Sequence, residues 1–262
     1  MLLMKKMTGL LKTMIEKLRD NNSDNYSYAI YGQNSTEVIL VDPVAVMALT
    51  NFLDKKNLTA KCIINTHSHY DHTGGNRYFG DCPVMAHPEA DVPGKTRPLK
   101  DKEVLDISGV NIKVLYAPGH IPDHIILVVD NAYLISGDVL FLAGCGNTCY
   151  GGNVRKLFQT FKYILEPLSD NLVVCPGHDY SIENLLFAKK VEPDNYYIKT
   201  KIDEIKNLKK INQEPVSTLM EEKHYNPFFR TDSLSIRNNL KLAYNASSED
   251  AFYAIRKARD LF

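Results

Sequence analysis

The chain has 262 residues, of which 44% are hydrophobic and 24% charged, a composition ordinary for a globular protein with one large and one smaller domain. Lys and Arg together number 31, as do Asp and Glu, so the basic excess of a dedicated nucleic-acid-binding protein is missing. No apolar run approaches the roughly 20 residues that span a bilayer. The five cysteines are odd in number and irregularly spaced, which excludes a disulfide framework and favours a reducing compartment. We therefore expect neither a nucleic acid nor a membrane as partner.

Apolar side chains near the N-terminus recur at helical spacing among lysines: Leu3, Met7, Leu10, Met14 and Leu18. This pattern predicts a basic amphipathic helix of the mitochondrial targeting type. The scarcity of Arg favours the alternative, an N-terminal extension of a cytoplasmic protein. We expect a cytoplasmic protein, with a mitochondrial one as the alternative.

Between residues 28 and 175, short β-branched runs alternate with loops and helices, which is typical of a layered α/β fold. A helix is predicted from Pro43 to about Lys56, and apolar residues at i, i+3, i+4 spacing predict another over 154–165. The predicted strands are 28–31, 38–41, 62–65, 84–86, 112–116, 125–129, 133–135 and 172–174.

After residue 181 the strand signals cease, and helices are predicted at 185–191, 198–211, 235–244 and 248–261. Ser247 or Ser248 can cap the last helix, with Glu249 and Asp250 in its first turn, where negative charge is favourable. We therefore predict an α/β domain over residues 1–180 and a smaller all-helical domain over 181–262.

The segment Thr-His-Ser-His-Tyr-Asp-His at 66–72 directly follows a predicted strand and contains His67, His69, Asp71 and His72. Imidazole suits zinc, iron and similar ions, and a carboxylate among the imidazoles adds the charge that a second ion needs. The chain has only eight histidines, so an incidental polar loop is the weaker interpretation.

Three more candidate ligands each follow a glycine at the end of a predicted strand: His120, Asp138 and His178. Glycine lets the backbone turn sharply and approach an ion closely. Each Gly-His or Gly-Asp pair alone is a weak signal. Ligands at strand ends converge in layered α/β folds, so the three together predict one site.

This ligand pattern resembles the signature of the metallo-β-lactamase superfamily, and the resemblance implies an αββα sandwich with two divalent metal ions. It assigns His67, His69 and His120 to the first ion and Asp71, His72 and His178 to the second, with Asp138 bridging. Zinc is the expected metal, with iron or manganese as alternatives. Two ions that share a carboxylate can lower the pKa of a bound water enough to supply hydroxide as nucleophile, so Asp71 and Asp138 are the predicted catalytic carboxylates. His124 resembles a supporting position, whereas His87 and His224 are discounted.

Nearly the whole chain resembles glyoxalase II (hydroxyacylglutathione hydrolase), through segments 24–26, 41–43, 143–146, 176–180 and, most specifically, 215–230 with its Asn226-Pro227-Phe228 and Arg230. The resemblance implies an enzyme of methylglyoxal detoxification, and we expect a monomer. Its partner would be a small-molecule thioester, most simply S-D-lactoylglutathione, hydrolysed to a 2-hydroxy acid and glutathione.

The resemblance also predicts that Tyr150 and Tyr180 contact the thiol part of the substrate and that Arg230 pairs with its carboxylate. Two positions that are basic in the family carry Thr148 and Ser233, with Arg155 or Arg237 as candidate replacements. We therefore expect weakened recognition of glutathione. The alternatives are a thioesterase for another carrier thiol, a mononuclear-iron persulfide dioxygenase on the same fold, and a non-catalytic binding protein.

Overall fold

The computed structural model describes residues 13–20 and 23–262, which form two compact units that interleave along the chain. The first unit contains the described residues through Tyr116, with Asp123–Gly137 and Gly177–Asp179; the second contains Ala117–Pro122, Asp138–Pro176 and Tyr180–Phe262. The division into domains 1–180 and 181–262 stays a prediction. Among the described residues, no helix is both long and apolar enough to cross a bilayer.

The first unit contains a six-stranded sheet whose strand order follows the chain. The pairs β1–β2 and β2–β3 are antiparallel, and each later pair is parallel. The strands are β1 (Thr13–Leu18), β2 (Ser27–Gly32), β3 (Glu37–Val41), β4 (Thr59–Ile64), β5 (Val84–Ala86) and β6 (Lys95–Pro98). The predictions for β2 to β5 are confirmed, whereas the short, largely exposed β6 was not predicted.

The helical interpretation of the N-terminal segment is wrong where the structure describes it, because Met14 and Leu18 lie in strand β1. Thr13 and Ile15 are buried and Met14 is exposed, which is the alternation of a strand. Pairing with β2 over six residues overrides the local helical spacing. The rest of the predicted targeting helix, residues 1–12, lies outside the described residues.

Helix α1 (Val46–Lys56) packs against one face of this sheet. Its Leu49 is fully buried with Ala29, Leu40 and Ile63 of the strands. The helix ends at Asn57 in the left-handed conformation.

The first unit also contains an antiparallel meander of four strands. Its strands are β7 (Val104–Ile107), β8 (Val110–Tyr116), β9 (Ile125–Val129) and β10 (Tyr133–Gly137). Every residue of β9 and β10 is buried, which explains the unbroken apolar sequence of β9. The predictions for β8, β9 and β10 are confirmed, and β7 was not predicted.

The second unit is mainly helical, with a short antiparallel pair of β11 (Val173–Pro176) and β12 (Ser217–Thr218). The C-terminal region is therefore helical but not wholly so, because β12 interrupts it. Its helices are α3 (Val154–Thr160), which continues as one π-helical turn (Phe161–Leu165), α4 (Ser181–Val191), α5 (Tyr196–Lys210), α6 (Leu219–Tyr225), α7 (Leu234–Asn239) and α8 (Ser248–Asp260).

The core of the second unit contains a cluster of phenylalanines. The ring centroids of Phe161, Phe228 and Phe252 lie between 5.1 and 6.1 Å from one another. Phe228 belongs to the Asn-Pro-Phe segment, so part of that motif serves packing. Helix α8 begins with a capping box between Ser247 and Asp250, which confirms the predicted cap.

Candidate metal centre

The loop after β4 contains the first pair of predicted ligands. Nε2 of His67 lies 3.1 Å from Nδ1 of His69, and Nδ1 of His67 lies 2.9 Å from the hydroxyl of Thr66. Two nitrogens bound tetrahedrally at about 2.1 Å to one zinc ion stand roughly 3.4 Å apart. The two imidazoles therefore fit one ion without rearrangement.

A second group of potential ligands in the first unit contains Asp71, His72 and His178. The Nε2 atoms of His72 and His178 lie 3.2 Å apart, and Oδ2 of Asp71 lies 3.5 Å from Nε2 of His178. Asp71 and His72 lie in the one-turn helix α2 (Tyr70–Thr73), and Asn25 donates to Oδ2 of Asp71. Two imidazoles and a carboxylate suit a divalent transition-metal ion.

The carboxylate of Asp42 orients one of these ligands. It is buried, with one oxygen 2.9 Å from Nδ1 of His72 and 2.7 Å from the hydroxyl of Thr66, and the other accepting the Thr66 N–H at 2.8 Å. Asp42, His67 and His72 are also close enough to be a ligand group. Both oxygens of Asp42 are already occupied, however, so we assign it to orientation: it holds the Nδ1 proton of His72 and leaves Nε2 for a metal.

His120 and Asp138, the predicted ligands of the second unit, approach each other closely. Nε2 of His120 lies 3.7 Å from Oδ2 of Asp138, while Nδ1 donates to the carbonyl of Asn147 at 2.7 Å. Because a carbonyl can only accept, the proton must be on Nδ1, and Nε2 is the nitrogen of this ring that carries a lone pair suited to a metal. Sequence analysis missed Asn147, because its backbone carbonyl makes the contact.

Two of the three predicted ligand-preceding glycines adopt conformations that other residues rarely adopt. Gly119 has φ 144°, and a Cβ atom there would lie 2.4 Å from Cα of Leu157. Gly137 has φ 49°, and its Cβ would lie 2.7 Å from Nε2 of His124. These positions confirm the predicted need for glycine. Gly177 is not among the positive-φ residues of the described chain.

The remaining histidines, His87, His124 and His224, each stack on another ring. His124 is buried and stacks on His67 with ring centroids 4.7 Å apart, and this contact restricts the orientation of the His67 ring. His87 stacks on Tyr116, and His224 stacks on Tyr197.

A cavity of about 310 Å³ in the second unit is lined by Tyr180, a predicted substrate contact, and by Arg256 and Arg259 of α8. Arg256 is buried, pairs with Asp260 at 2.7 Å and donates to the carbonyl of Cys145 at 2.8 Å. Arg259 donates to the side chain of Asn184 at 3.1 Å, and its Nη2 lies 3.7 Å from the carboxylate of Glu183. Burial and the charge of Arg256 lower the pKa of the Arg259 guanidinium. An anion bound in the cavity would therefore contact the partly desolvated guanidinium of Arg259.

Both arginines were missed by sequence analysis, although the sequence carried a signal. Phe252, Ile255, Arg256 and Arg259 stand at i, i+3, i+4 and i+7, so both arginines occur on the apolar face of a predicted helix. An arginine on a buried face requires a partner, and that pattern marks a candidate site.

The predicted substrate contact Arg230 is engaged within the second unit. Its Nε and Nη2 each donate to Glu192 at 2.7 Å, and Ser233 donates to the same carboxylate. Burial raises the pKa of Glu192, but hydrogen bonds from Arg230, Asn195 and Ser233 outweigh it and lower the pKa. Two of the five N–H donors of Arg230 are therefore committed to Glu192, and a substrate carboxylate would have to share this guanidinium with Glu192. The side chain of Tyr150 is 74% exposed, and both substrate contacts stay predictions.

The cations considered as replacements have partners too. Arg155 pairs with Glu249 at 2.6 Å, and Arg237 donates to the carbonyls of Thr231 and Ala246.

Two family profiles together match most of the chain. The profile described as "Metallo-beta-lactamase superfamily" matches residues 22–178, and that described as "Hydroxyacylglutathione hydrolase C-terminus" matches residues 179–262.

Individual proteins are similar over nearly the full length. The hydroxyacylglutathione hydrolase of Shewanella halifaxensis is 34% identical over 251 residues, covering 92% of this chain and 96% of that protein. The hydroxyacylglutathione hydrolase of Idiomarina loihiensis is 32% identical over 244 residues, covering 90% and 95%. The crystal structure of ETHE1 from Myxococcus xanthus superimposes with a TM-score of 0.64 at 23% identity, covering 93% of this chain and 98% of that one. The predicted fold class, an αββα metallo-β-lactamase sandwich with a C-terminal helical region, is confirmed.

Proposed function

The chain belongs to the hydroxyacylglutathione hydrolase family of the metallo-β-lactamase superfamily, and from this we propose that it is a metal-dependent thioester hydrolase. The finer proposal is that it cleaves S-(2-hydroxyacyl)glutathione, with S-D-lactoylglutathione as the substrate and methylglyoxal detoxification as the process. The observation that carries the proposal is the pair of oriented ligand groups, in which Asp42 and the carbonyl of Asn147 direct Nε2 of His72 and of His120 toward a metal.

For the metal centre we propose two divalent ions, zinc in the simplest case. By resemblance to the superfamily signature, we assign His67, His69 and His120 to one ion and Asp71, His72 and His178 to the other, with Asp138 shared. The donor set fits, because imidazole and carboxylate suit zinc, iron and manganese. When bound, such ions supply an activated water and polarise a carbonyl.

The protein's own residues would prepare that chemistry by holding the ligands in one protonation state. Asp42 and the Asn147 carbonyl fix the tautomers of His72 and His120, so that Nε2 of each ring is the nitrogen that would bind an ion. The leaving group needs little help, because a free thiol has a pKa of about 8.5 and departs readily as the thiolate. This chemistry suits a thioester better than an amide.

For the carrier thiol we propose that the cavity lined by Tyr180, Arg256 and Arg259 binds an anionic group. Arg259 is the better partner for a carboxylate, because Arg256 is already paired with Asp260 whereas Glu183 lies 3.7 Å from Arg259 and is exposed. A glycine carboxylate at the end of a glutathione thioester has this chemistry. The arginines of this cavity would supply the positive charge that Thr148 and Ser233 lack.

We further propose a cytoplasmic monomer. The irregular set of five cysteines, all free thiols, supports a reducing compartment.

The test is a hydrolysis assay on protein whose metal content has been measured. We expect S-D-lactoylglutathione to be cleaved with a higher kcat/KM than the lactoyl thioester of the neutral thiol N-acetylcysteamine. Equal kcat/KM for the two would overturn the anionic carrier. No turnover of any thioester by protein with two metal equivalents would overturn the thioesterase, and oxygen uptake with glutathione persulfide would instead indicate the dioxygenase.

A further inference from the structure

The loop from Asp138 to Asn147 contributes twice to the candidate metal centre. Asp138 is itself a proposed ligand, and the carbonyl of Asn147 accepts the Nδ1 proton of His120 at 2.7 Å. A shift of this loop would therefore move one ligand and release the ring of another.

Three backbone hydrogen bonds hold this loop from within. Phe141 and Gly144 each donate an N–H to the carbonyl of the other, and Gly146 donates to the carbonyl of Asp138. Ala143, at the centre, has φ 56°, a left-handed conformation that is unfavourable for alanine unless the surroundings enforce it.

Four side chains of the C-terminal helical region form hydrogen bonds with backbone groups of this turn. Each comes from a different place: α4, α6, the residue after α6, and α8. Asn184 donates to the carbonyl of Leu142 at 3.0 Å, Glu222 accepts the N–H of Ala143 at 2.8 Å, Asn226 donates to the carbonyl of Gly144 at 3.0 Å, and Arg256 donates to the carbonyl of Cys145 at 2.8 Å.

Glu222 is the centre of this arrangement, because it connects the loop to the other side chains. Its exposed fraction is 0%. Oε2 accepts from Ala143 and also from Asn226 at 2.9 Å, while Oε1 accepts from the hydroxyl of Tyr225 at 2.8 Å. Three donors hold the buried carboxylate of Glu222 in one orientation. Because Glu222 belongs to helix α6, this helix fixes the position of the Ala143 N–H.

We propose that Glu222 is a positioning residue for the metal centre: through the N–H of Ala143 it holds the 138–147 loop so that Asp138 and the tautomer of His120 are set for metal binding. The helical region then determines metal affinity as well as shaping the substrate cavity. The inference rests on the metal centre of the proposed function, but it does not depend on which substrate is cleaved.

The experiment compares Glu222→Leu with Glu222→Gln in the full-length protein loaded with Co(II). Affinity is measured by chelator competition, and coordination by the visible absorption of bound Co(II). Leu has no acceptor, whereas Gln can turn its oxygen to Ala143 and its amide to Tyr225. We expect Glu222→Leu to weaken one of the two Co(II) sites by roughly 10–100-fold and to alter its spectrum. Glu222→Gln should keep the Co(II) affinity and the spectrum of the wild type.

Lys201→Met is the matched control. Lys201 is also buried in the second unit and bonds to Glu204, Glu221 and the carbonyl of Val216, which lie outside the 138–147 loop. It should lower stability while leaving Co(II) affinity and spectrum unchanged. If Glu222→Leu does not fold, Asn226→Ser replaces it, because Ser keeps an acceptor for Phe228 N–H but loses the bond to Gly144.

Wild-type Co(II) affinity and spectrum in Glu222→Leu, or in Asn226→Ser, would overturn the proposal. So would the same weakening in Lys201→Met, since that would reflect general destabilisation. A protein whose Co(II) sites respond as expected but which cleaves no thioester would contradict only the proposed function.

Discussion

Replacement of Glu222 by Gln should remove a specific pH dependence of folding stability. Burial raises the pKa of Glu222 from 4.5 to about 7, although hydrogen bonds from Asn226, Tyr225, Ser217 and Ala143 oppose the rise. Below pH 4.5 the carboxyl is protonated in both the folded and the unfolded chain. Between pH 4.5 and 7 the unfolded chain releases the proton while the folded chain keeps it, so the free energy of unfolding falls as pH rises.

The size of this effect follows from the two pKa values. At roughly 1.4 kcal/mol per pH unit, the interval from 4.5 to about 7 corresponds to a loss of about 3 kcal/mol. Gln has no proton to release, so the variant should lack this loss. It should match the wild type near pH 4.5 and exceed its stability by up to about 3 kcal/mol above pH 7.

The assay is urea unfolding at a series of pH values from 4.5 to 8, with and without a chelator, so that metal release is seen separately. Glu89→Gln, at an exposed carboxyl, is the matched control and should keep the wild-type profile. Parallel pH profiles for the wild type and Glu222→Gln would refute the reasoning, because they would mean that Glu222 ionises equally in the folded and unfolded states.

Three further changes test the candidate centre and the cavity. Asp138→Ala should lower the metal content from about two ions to about one per chain and abolish turnover, as measured by elemental analysis and thioester assay; two retained ions with full activity would contradict a shared ligand. Asp42→Ala frees Nδ1 of His72 and should weaken metal binding by roughly 10–100-fold in chelator competition, so unchanged affinity would show that orientation of this ring is unimportant. Arg259→Ala removes a charge-assisted bond worth about 1.5–3 kcal/mol and should raise KM for lactoylglutathione roughly tenfold or more with little change in kcat. The exposed Lys257→Ala on the same helix should change neither.

The predicted metal ligands could be identified from the sequence because they occur in short motifs. His67, His69, Asp71 and His72 fall in one loop, and each remaining ligand follows a glycine at a strand end. Most of the sheet strands were predictable for a similar reason, since buried strands such as β9 are unbroken apolar runs.

The contacts that orient the ligands were not predictable, because they join residues distant in the chain. Asp42 reaches His72 across 30 positions, and the carbonyl of Asn147 reaches His120 across 27. A contact made by a backbone carbonyl does not depend on the type of side chain, so the sequence does not reveal it. The N-terminal strand was missed because helical spacing over a few residues is a weak signal, whereas pairing with β2 is decided by tertiary structure.

The four side chains that hold the 138–147 loop also bear on how relatives in this family could exchange parts. The two family profiles meet between residues 178 and 179, which suggests a natural place to cut and recombine the chain. Cutting there would remove the side-chain partners of three buried backbone groups of the turn, the carbonyls of Leu142 and Cys145 and the N–H of Ala143, at about 1–3 kcal/mol each, a sum comparable with the whole stability of a domain. A transplanted C-terminal segment must therefore carry Asn184, Glu222, Asn226 and Arg256 as a set. Exchange of the C-terminal segment between relatives would then change the substrate range and the shape of the 138–147 loop at the same time.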